Sequence, residues 1–348
     1  MTDVLNLNVD NKHKLVNFIE TVHKKTSLTQ ISFLRAIASI SVCLFHLACG
    51  NPSFISKSNL IIKTFGYGYL GVQVFFILSG FIICYSFPPE YQLKNFFSFF
   101  KKRLVRVEPP YLLSILLTLS VAYIAALITK NPVAFSWKNI FYHIGYLNSF
   151  TKTAYINPVY WTLGIEFQFY ILIGLLFPLV KRSVYFLTLF IIGLLLLNFM
   201  QVDNGNLIFA HTPLFCAGIL SYFIACSTLQ SKWILICLLI ATLLTIKLNQ
   251  PEAIYVSLFT ICVIGFPFRY NTFVQFFSNI SYSLYLVHVP IGGRIINLSL
   301  RFVKTDNQKY LAIAAAFITS IVAAYVFYLV VEKPAIKWSK QIRYAFAG

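Results

Sequence analysis

Charged residues are scarce in this sequence of 348 residues. They make up 11% of the chain, and only 10 residues are acidic. Hydrophobic residues make up 58%, and the mean hydropathy is +0.75. Since so few charges cannot cover a surface in contact with water, the composition excludes an ordinary soluble globular protein.

Cysteine pairs with the spacing of a redox or metal site are also missing. The seven cysteines include no CxxC pair, and nearly all lie inside apolar runs, where cysteine behaves as a small core residue. The sequence therefore predicts neither a disulfide framework nor a metal site. No internal repeat, low-complexity stretch or soluble domain interrupts the apolar pattern, so a single membrane domain accounts for most of the chain.

Apolar runs long enough to cross a bilayer recur along the chain. We predict an all-α polytopic membrane protein, a bundle of about ten transmembrane helices. The expected spans are 30–49, 69–87, 110–129, 159–180, 183–200, 207–226, 232–249, 253–269, 280–301 and 310–331. They form one transmembrane domain at 30–335, between an N-terminal arm at 1–29 and a basic tail at 336–348.

Lysine and arginine are concentrated in alternate connections between the expected spans. The positive-inside rule then places both termini in the cytoplasm, and we expect the protein in the cell (inner) membrane. This bias explains the formal net charge of +18. Because the basic residues are divided among short loops, we expect contact with membrane lipids and no binding of nucleic acid. In the arm, Leu15, Phe18, Ile19 and Val22 predict an amphipathic helix on the membrane surface.

The first expected span contains an arginine and a histidine on one helix face. Arg35 and His46 are eleven residues apart, which is about three helical turns and about 16 Å along the axis. Ser32, Ser39 and Cys43 follow the same face. Ionisable groups at membrane depth are costly and usually face a protein interior, so this stripe predicts a cavity. The alternative for His46 is a packing histidine, hydrogen-bonded to a neighbouring helix.

Two more ionisable residues lie within expected spans. Glu166 lies about 10 Å below the start of the fourth span, and His288 lies near the middle of the ninth, where Pro290 should kink the helix. At these depths both can converge with His46. The alternatives are a structural ion pair for Glu166 and, for His288, a histidine that satisfies a carbonyl freed by the kink.

The segment KKRLVRVEPPYL at 101–112 contains two arginines one helical turn apart, just before the third span. Guanidinium groups recognise phosphate bidentately, so Arg103 and Arg106 are candidates for holding a polyanionic nucleotide at the cytoplasmic surface. The alternative is a pair of positive-inside anchors that reach lipid headgroups.

Six segments together resemble the acyltransferase 3 family of integral membrane acyltransferases. They are FLRAIASISVCLFH at 33–46, GVQVFFILSGFII at 71–83, KRLVRVEPPYL at 102–112, YWTLGIEFQFYIL at 160–172, ISYSLYLVHVPI at 280–291 and EKP at 332–334. The resemblance extends from about residue 28 to 335. It implies transfer of an acyl group, usually acetyl from acetyl-coenzyme A, to a hydroxyl of a cell-surface glycan or its lipid-linked precursor.

The resemblance also implies roles for the matching residues. The roles are catalysis for His46, Glu166 and His288, and binding of the acyl-coenzyme A phosphates for Arg35, Arg103 and Arg106. The donor acts as a co-substrate, and no metal is expected. An extended pantetheine arm is comparable in length to the separation of Arg35 and His46. With the phosphates bound at Arg35, the acyl end of the donor would thus reach His46. The expected chemistry there is general-base catalysis by His46, or transfer through an acyl-histidine.

Two positions depart from the family pattern. The family often has an acidic residue where Gln73 stands, and an acidic or polar residue where Phe167 stands. For the acceptor, Trp161 and Tyr160 are candidates to stack on a sugar.

Two other classes of function use a similar set of residues. Buried histidine and glutamate with cationic neighbours also build proton-coupled transporters, although the sequence has no inverted repeat. A non-catalytic membrane sensor of the same fold would have lost the reactive residues, and this chain keeps them. The oligomeric state does not follow from the sequence.

Overall fold

The computed structural model describes residues 29–55, 59–130, 136–151, 153–200, 207–226, 229–266 and 271–344. Within these ranges the chain is helical and contains no β-strand. The amphipathic helix expected in the N-terminal arm lies outside the described residues.

Fifteen α-helices follow one another in the described ranges. They are α1 (Thr29–Cys49), α2 (Leu60–Phe65), α3 (Gly71–Ser86), α4 (Phe96–Thr129), α5 (Trp137–Ile144), α6 (Asn148–Thr151), α7 (Trp161–Val180), α8 (Val184–Phe199), α9 (Thr212–Cys226), α10 (Leu229–Asn249), α11 (Ala253–Gly265), α12 (Thr272–His288), α13 (Arg294–Ser299), α14 (Asp306–Phe327) and α15 (Lys333–Gln341). Short 3-10 helices occupy Gly66–Leu70, Leu93–Asn95 and Ile208–His211, and π-helical turns occupy Val289–Gly293 and Tyr328–Glu332.

Seven stretches of the described chain are long and apolar enough to cross a membrane. They are Thr29–Cys49, Ile62–Ser86, Leu93–Thr129, Trp161–Val180, Ile208–Cys226, Ser231–Asn249 and Asp306–Gln341. The shorter apolar helices α8 and α11 fall within two more of the expected spans. The predicted all-α polytopic membrane fold is confirmed. Two finer points stay predictions. They are the count of about ten spans, which assumes a span length set by bilayer thickness, and the cytoplasmic position of both termini.

Helix α1 lies among several partners, because small side chains cover much of its surface. It packs against α3, α11, α12 and α14. Ala36, Ala38, Ser39 and Cys43 are all buried in these contacts. Small residues let transmembrane helices approach closely, and the contact with α12 brings two polar stretches of sequence together.

The expected kink at Pro290 takes the form of a π-helical turn. Pro290 lies in the turn Val289–Gly293 that joins α12 to α13. Proline has no N–H to donate, so the regular α-helical bonding cannot continue through it. Gly292 in the same turn packs tightly, since an added Cβ would lie 2.3 Å from Ser320 Oγ and 2.7 Å from Leu47 Cδ2. The turn therefore fixes the end of α12 against α1 and α14.

Helices α3 and α9 pack through two glycines. A Cβ added at Gly80 would lie 2.3 Å from the carbonyl oxygen of Phe215, and one at Gly218 would lie 2.0 Å from the carbonyl oxygen of Ile77. Both neighbouring atoms belong to the backbone and cannot rotate away. The two helices can hold this spacing only while both positions lack a side chain.

We expect Gly218→Ala to lower the thermal unfolding midpoint of the detergent-purified protein. The added methyl group meets helix backbone, and overpacking of this kind costs about 1–3 kcal/mol. Gly193→Ala is the matched control, because a Cβ there meets no atom of the described chain within 4 Å. The control should leave the midpoint unchanged or slightly higher, since alanine favours the helix. Equal midpoints for the two variants would contradict the glycine contact.

Candidate active site

A cavity of about 150 Å³ lies between α1, α3, α4, α7, α12 and the π-helical turn before α15. Its charged lining consists of Arg35, Arg103, Arg106, Glu166 and Glu332. If all five groups are ionised, three positive and two negative charges leave a net charge of +1. Because charges act strongly in a poorly solvated site, this excess suits an anionic ligand.

The three arginines differ in their hydrogen bonding. Arg35 donates from Nη2 to Ser281 Oγ at 3.0 Å, which ties α1 to α12. Arg103 donates to the hydroxyl of Ser86 at the end of α3. The guanidinium of Arg106 donates to no residue in the part of the chain that the structure describes. The N–H donors of Arg106, which lines the cavity, are therefore unused among the described residues.

The two glutamates are held by hydroxyl and amide donors. Ser79 donates its hydroxyl to Glu166 Oε1 at 2.6 Å. Glu332 Oε2 accepts from the backbone N–H of Ser283 at 3.1 Å and from its hydroxyl at 2.5 Å. Among the described residues the only ion pair within 4.0 Å joins Lys309 and Asp306. The charged groups of the cavity are thus near one another without being paired.

Glu332 is the one charged residue of the cavity lining to which sequence reasoning assigned no role. It is only 3% exposed and stands at the end of the π-helical turn Tyr328–Glu332. The EKP motif marked the position, and an acidic residue directly after an apolar span was the available signal. The sequence pattern did not reveal the π-helical turn in which Glu332 lies.

The two histidines face each other across the contact between α1 and α12. His288 Nε2 lies 3.2 Å from His46 Nδ1, and the ring centroids are 5.1 Å apart. His46 Nδ1 is also 3.0 Å from the carbonyl oxygen of Val42. His288 Nδ1 is 2.8 Å from the carbonyl oxygen of Leu284. Each ring is therefore fixed by its own helix as well as by the other ring.

If both rings are neutral, these contacts assign their tautomers. A carbonyl oxygen only accepts, so each Nδ1 carries the hydrogen. His288 Nε2 is then a lone pair that accepts from His46 Nδ1–H, which is shared with Val42. His46 Nε2 is left as a lone pair with no hydrogen-bond partner among the described residues. A free imidazole lone pair serves as a base or as a nucleophile.

The histidine pair lies next to the cavity and does not line it. Arg35 lines the cavity, whereas neither His46 nor His288 does. Two aromatic rings stand at the boundary: Tyr285 lines the cavity, and its ring centroid is 6.1 Å from that of His288 and 5.9 Å from that of Phe75. Arg35 and His46 therefore both face α12. Arg35 contacts Ser281, which precedes Tyr285 along α12, and His46 contacts His288, which follows it.

Comparison of the sequence with known proteins identifies its family. The family model described as "Acyltransferase domain" matches residues 28–330. The chain belongs to the acyltransferase 3 family. No solved structure matches the chain.

Two curated relatives of this acyltransferase 3 chain show how far the similarity extends. The O-acetyltransferase OatA of Staphylococcus aureus strain NCTC 8325 is 28% identical over 376 residues, which cover 91% of this chain and 58% of that protein. The putative acetyltransferase ORF330 of Acidianus two-tailed virus is 27% identical over 180 residues, 52% of this chain and 49% of that protein. The chain thus spans less than two thirds of the length of OatA.

The two candidate acceptor residues, Tyr160 and Trp161, lie outside the cavity lining. Tyr160 is fully buried, and its hydroxyl lies 2.9 Å from Ser114 Oγ. Its ring packs 5.9 Å from that of His143, whose pKa is lowered by burial. Trp161 packs against Phe76, with ring centroids 6.1 Å apart. A stacking role for either residue stays a prediction.

The two positions that depart from the family pattern make local contacts. With its amide oriented by its neighbours, Gln73 donates to the carbonyl oxygens of Leu70 and Tyr69 at 3.2 and 3.1 Å. Phe167 stacks on Tyr146, with ring centroids 4.8 Å apart. In the described chain, no group of three or more His, Cys, Asp or Glu residues is placed to hold a metal ion.

Proposed function

We propose that this protein is a membrane-embedded O-acyltransferase of the cell (inner) membrane. It moves an acyl group, in our proposal acetyl, from cytosolic acyl-coenzyme A to a hydroxyl of a cell-surface glycan or its lipid-linked precursor. The observation that carries the proposal is a cavity with three arginines beside a histidine whose Nε2 is free. The name of the relative OatA, an O-acetyltransferase, supports acetyl as the acyl group.

We assign donor binding to the cavity lined by Arg35, Arg103 and Arg106, the arginine cavity. Coenzyme A carries several phosphates, and hydrogen bonds between guanidinium and phosphate are charge-assisted and stronger than neutral ones. Arg106 supplies unused donors, while Arg35 and Arg103 are already oriented by Ser281 and Ser86. The nucleotide end of the donor therefore binds at the arginines, and the pantetheine arm extends toward the histidine pair.

The chemical step uses the free Nε2 of His46. This atom takes the proton of the acceptor hydroxyl while the hydroxyl oxygen attacks the thioester carbonyl carbon. The carbon–sulfur bond then breaks, and the leaving thiolate takes the proton from the imidazolium. In the second route Nε2 attacks the thioester carbonyl carbon, the carbon–sulfur bond breaks and coenzyme A leaves as the thiolate. The acceptor hydroxyl then attacks the carbonyl of the acyl-imidazole, which releases Nε2, and the hydroxyl proton passes to the thiolate. Both routes begin from the same lone pair.

His288 and Glu166 act on either side of this step. His288 Nε2 accepts the Nδ1–H of His46, so it keeps the reactive ring in one tautomer and orientation. Glu166 bonds to Ser79 and lines the arginine cavity. We assign it to the donor end, where its charge offsets part of the positive charge that the arginines place around the donor phosphates.

Labelled acetyl-coenzyme A tests the proposal. Membrane vesicles from cells that express the protein should move label into a glycan fraction, and the surface glycans of a deletion strain should lose acetyl groups by mass. Vesicles from the deletion strain are the control for other enzymes. Solute flux that needs no acyl donor, with no label transferred, would favour a transporter. Folded protein that neither binds the donor nor transports would favour the sensor.

A further inference from the structure

The C-terminal tail packs against α4 beside the arginine cavity. Ser339 of α15 donates its hydroxyl to the carbonyl oxygen of Lys102 at 2.9 Å. Three residues after α15, the ring of Tyr344 packs edge to face on Tyr91, with centroids 6.1 Å apart. The ammonium of Lys102 lies over the Tyr344 ring, 5.5 Å from its centroid. The tail therefore holds the Lys102 side chain next to Arg103, which lines the cavity.

Lys102 has no acidic partner in the part of the chain that the structure describes. Its ammonium donates no hydrogen bond to a described residue, and the like charge of Arg103 acts on it from close by. Burial raises the pKa of the Tyr344 hydroxyl, and the same arginine opposes part of that rise, so the hydroxyl stays protonated at neutral pH and can donate. Two neighbouring cations and a hydroxyl donor suit a phosphate group.

We infer that Lys102, held by Tyr344, forms a second phosphate subsite, which takes the 3′-phosphate of the coenzyme A donor. This inference rests on the proposed function. Coenzyme A carries a diphosphate and, one ribose away, a phosphomonoester at the end opposite the thioester. Arg103 and Arg106 share a helix face and suit the diphosphate, whereas Lys102 projects about 100° away from Arg103. Lys102 also precedes both arginines along α4, on the side of the tail, so it lies where a donor directed toward His46 carries its phosphomonoester.

Binding of acetyl-coenzyme A and of acetyl-3′-dephospho-coenzyme A to purified protein tests the subsite. The protein is held in nanodiscs of zwitterionic phosphatidylcholine, and the result is the ratio of the two dissociation constants. We expect the wild type to bind the dephospho donor about tenfold more weakly, the lower end of the effect of a hydrogen bond to a charged group. Lys102→Gln should bind the dephospho donor as the wild type does, which shows that it is folded, and its ratio should approach one. Tyr344→Leu removes the ring that holds Lys102 and should change the ratio in the same direction.

Two further variants separate the subsite from the general charge of the protein. Lys101→Gln removes the neighbouring lysine of α4, which is exposed, and should keep the wild-type ratio. Arg106→Gln should weaken both donors alike, because we assign Arg106 to the diphosphate that both donors carry. A wild-type ratio near one, or equal ratios in wild type and Lys102→Gln, would show that Lys102 does not bind the 3′-phosphate. The proposed function would then stand, since both donors are still bound.

A phospholipid headgroup is the other source of a phosphate for Lys102. The binding measurements are therefore repeated in nanodiscs that contain anionic phosphatidylglycerol. We expect the wild type to keep its preference for the phosphorylated donor there. A preference that disappears with phosphatidylglycerol would assign the subsite to the lipid headgroup and overturn the inference. If the wild type binds neither donor in either nanodisc, the proposed function fails, and the subsite with it.

Discussion

His46→Asn should abolish acyl transfer while the protein still folds. The asparagine amide can place an N–H near Nδ1, where it can donate to the Val42 carbonyl or to His288. It provides no lone pair at the position of Nε2. Loss of a general base lowers rates by about 10²–10⁴-fold, and loss of a nucleophile removes the covalent route altogether. The measurement is label transfer from acetyl-coenzyme A, with the thermal unfolding midpoint as the check on folding.

His288→Asn is the variant that distinguishes a reactive histidine from a supporting one. His288 supports His46 by accepting its Nδ1–H, so its loss should lower the rate less than His46→Asn does. Its loss should also shift the pH profile of kcat/KM, because the reactive ring loses a hydrogen-bond acceptor. A change in protein stability alone would lower the rate without moving the profile. Near wild-type transfer by folded His46→Asn protein would exclude both chemical routes.

Arg106→Gln should weaken donor binding with little effect on the chemical step. Its guanidinium lines the cavity and donates to no described residue, so its hydrogen bonds are available to the donor. A hydrogen bond to a charged group contributes about 1.5–3 kcal/mol, which predicts a rise in KM for acetyl-coenzyme A of about 10–150-fold. Because this binding is uniform through the reaction, kcat should stay near the wild-type value.

Arg182→Gln is the matched control for the arginine prediction. Arg182 is exposed and lies in the short connection between α7 and α8, away from the cavity lining. The same charge is removed from the protein as a whole, so a general electrostatic effect would appear in both variants. Equal KM values for Arg106→Gln and Arg182→Gln would place the donor phosphates elsewhere. A fall in kcat with an unchanged KM would show that Arg106 acts in the chemical step and not in donor binding.

The sequence was sufficient to predict the fold class, because the thickness of the bilayer sets the length of a membrane-spanning helix. Apolar runs of about twenty residues mark membrane helices whatever their partners are. Helix α4 shows where the pattern fell short. The expected span began at residue 110, whereas the helix begins at Phe96 and continues through Pro109 and Pro110. Its first turns are stabilised by packing, since Phe99 is buried against Phe87.

The site could be read in part for a similar reason. Ionisable residues are rare at membrane depth, so Arg35, His46, Glu166 and His288 were visible one at a time. Their arrangement was not, because helical periodicity gives a face and a depth but no rotation relative to a neighbouring helix. Tyr285, which separates Arg35 from His46, is one aromatic residue among many in a chain with 17% aromatics.

Equilibrium binding of labelled acetyl-coenzyme A to purified variants tests most directly whether donor binding and chemistry occupy separate parts of the site. Wild type and His46→Asn should bind the donor with similar affinity, although only the wild type transfers the label. Arg106→Gln should bind at least about tenfold more weakly, the lower bound set by a lost charge-assisted hydrogen bond. Absence of binding to the wild type, or weak binding by His46→Asn together with wild-type affinity in Arg106→Gln, would contradict the account.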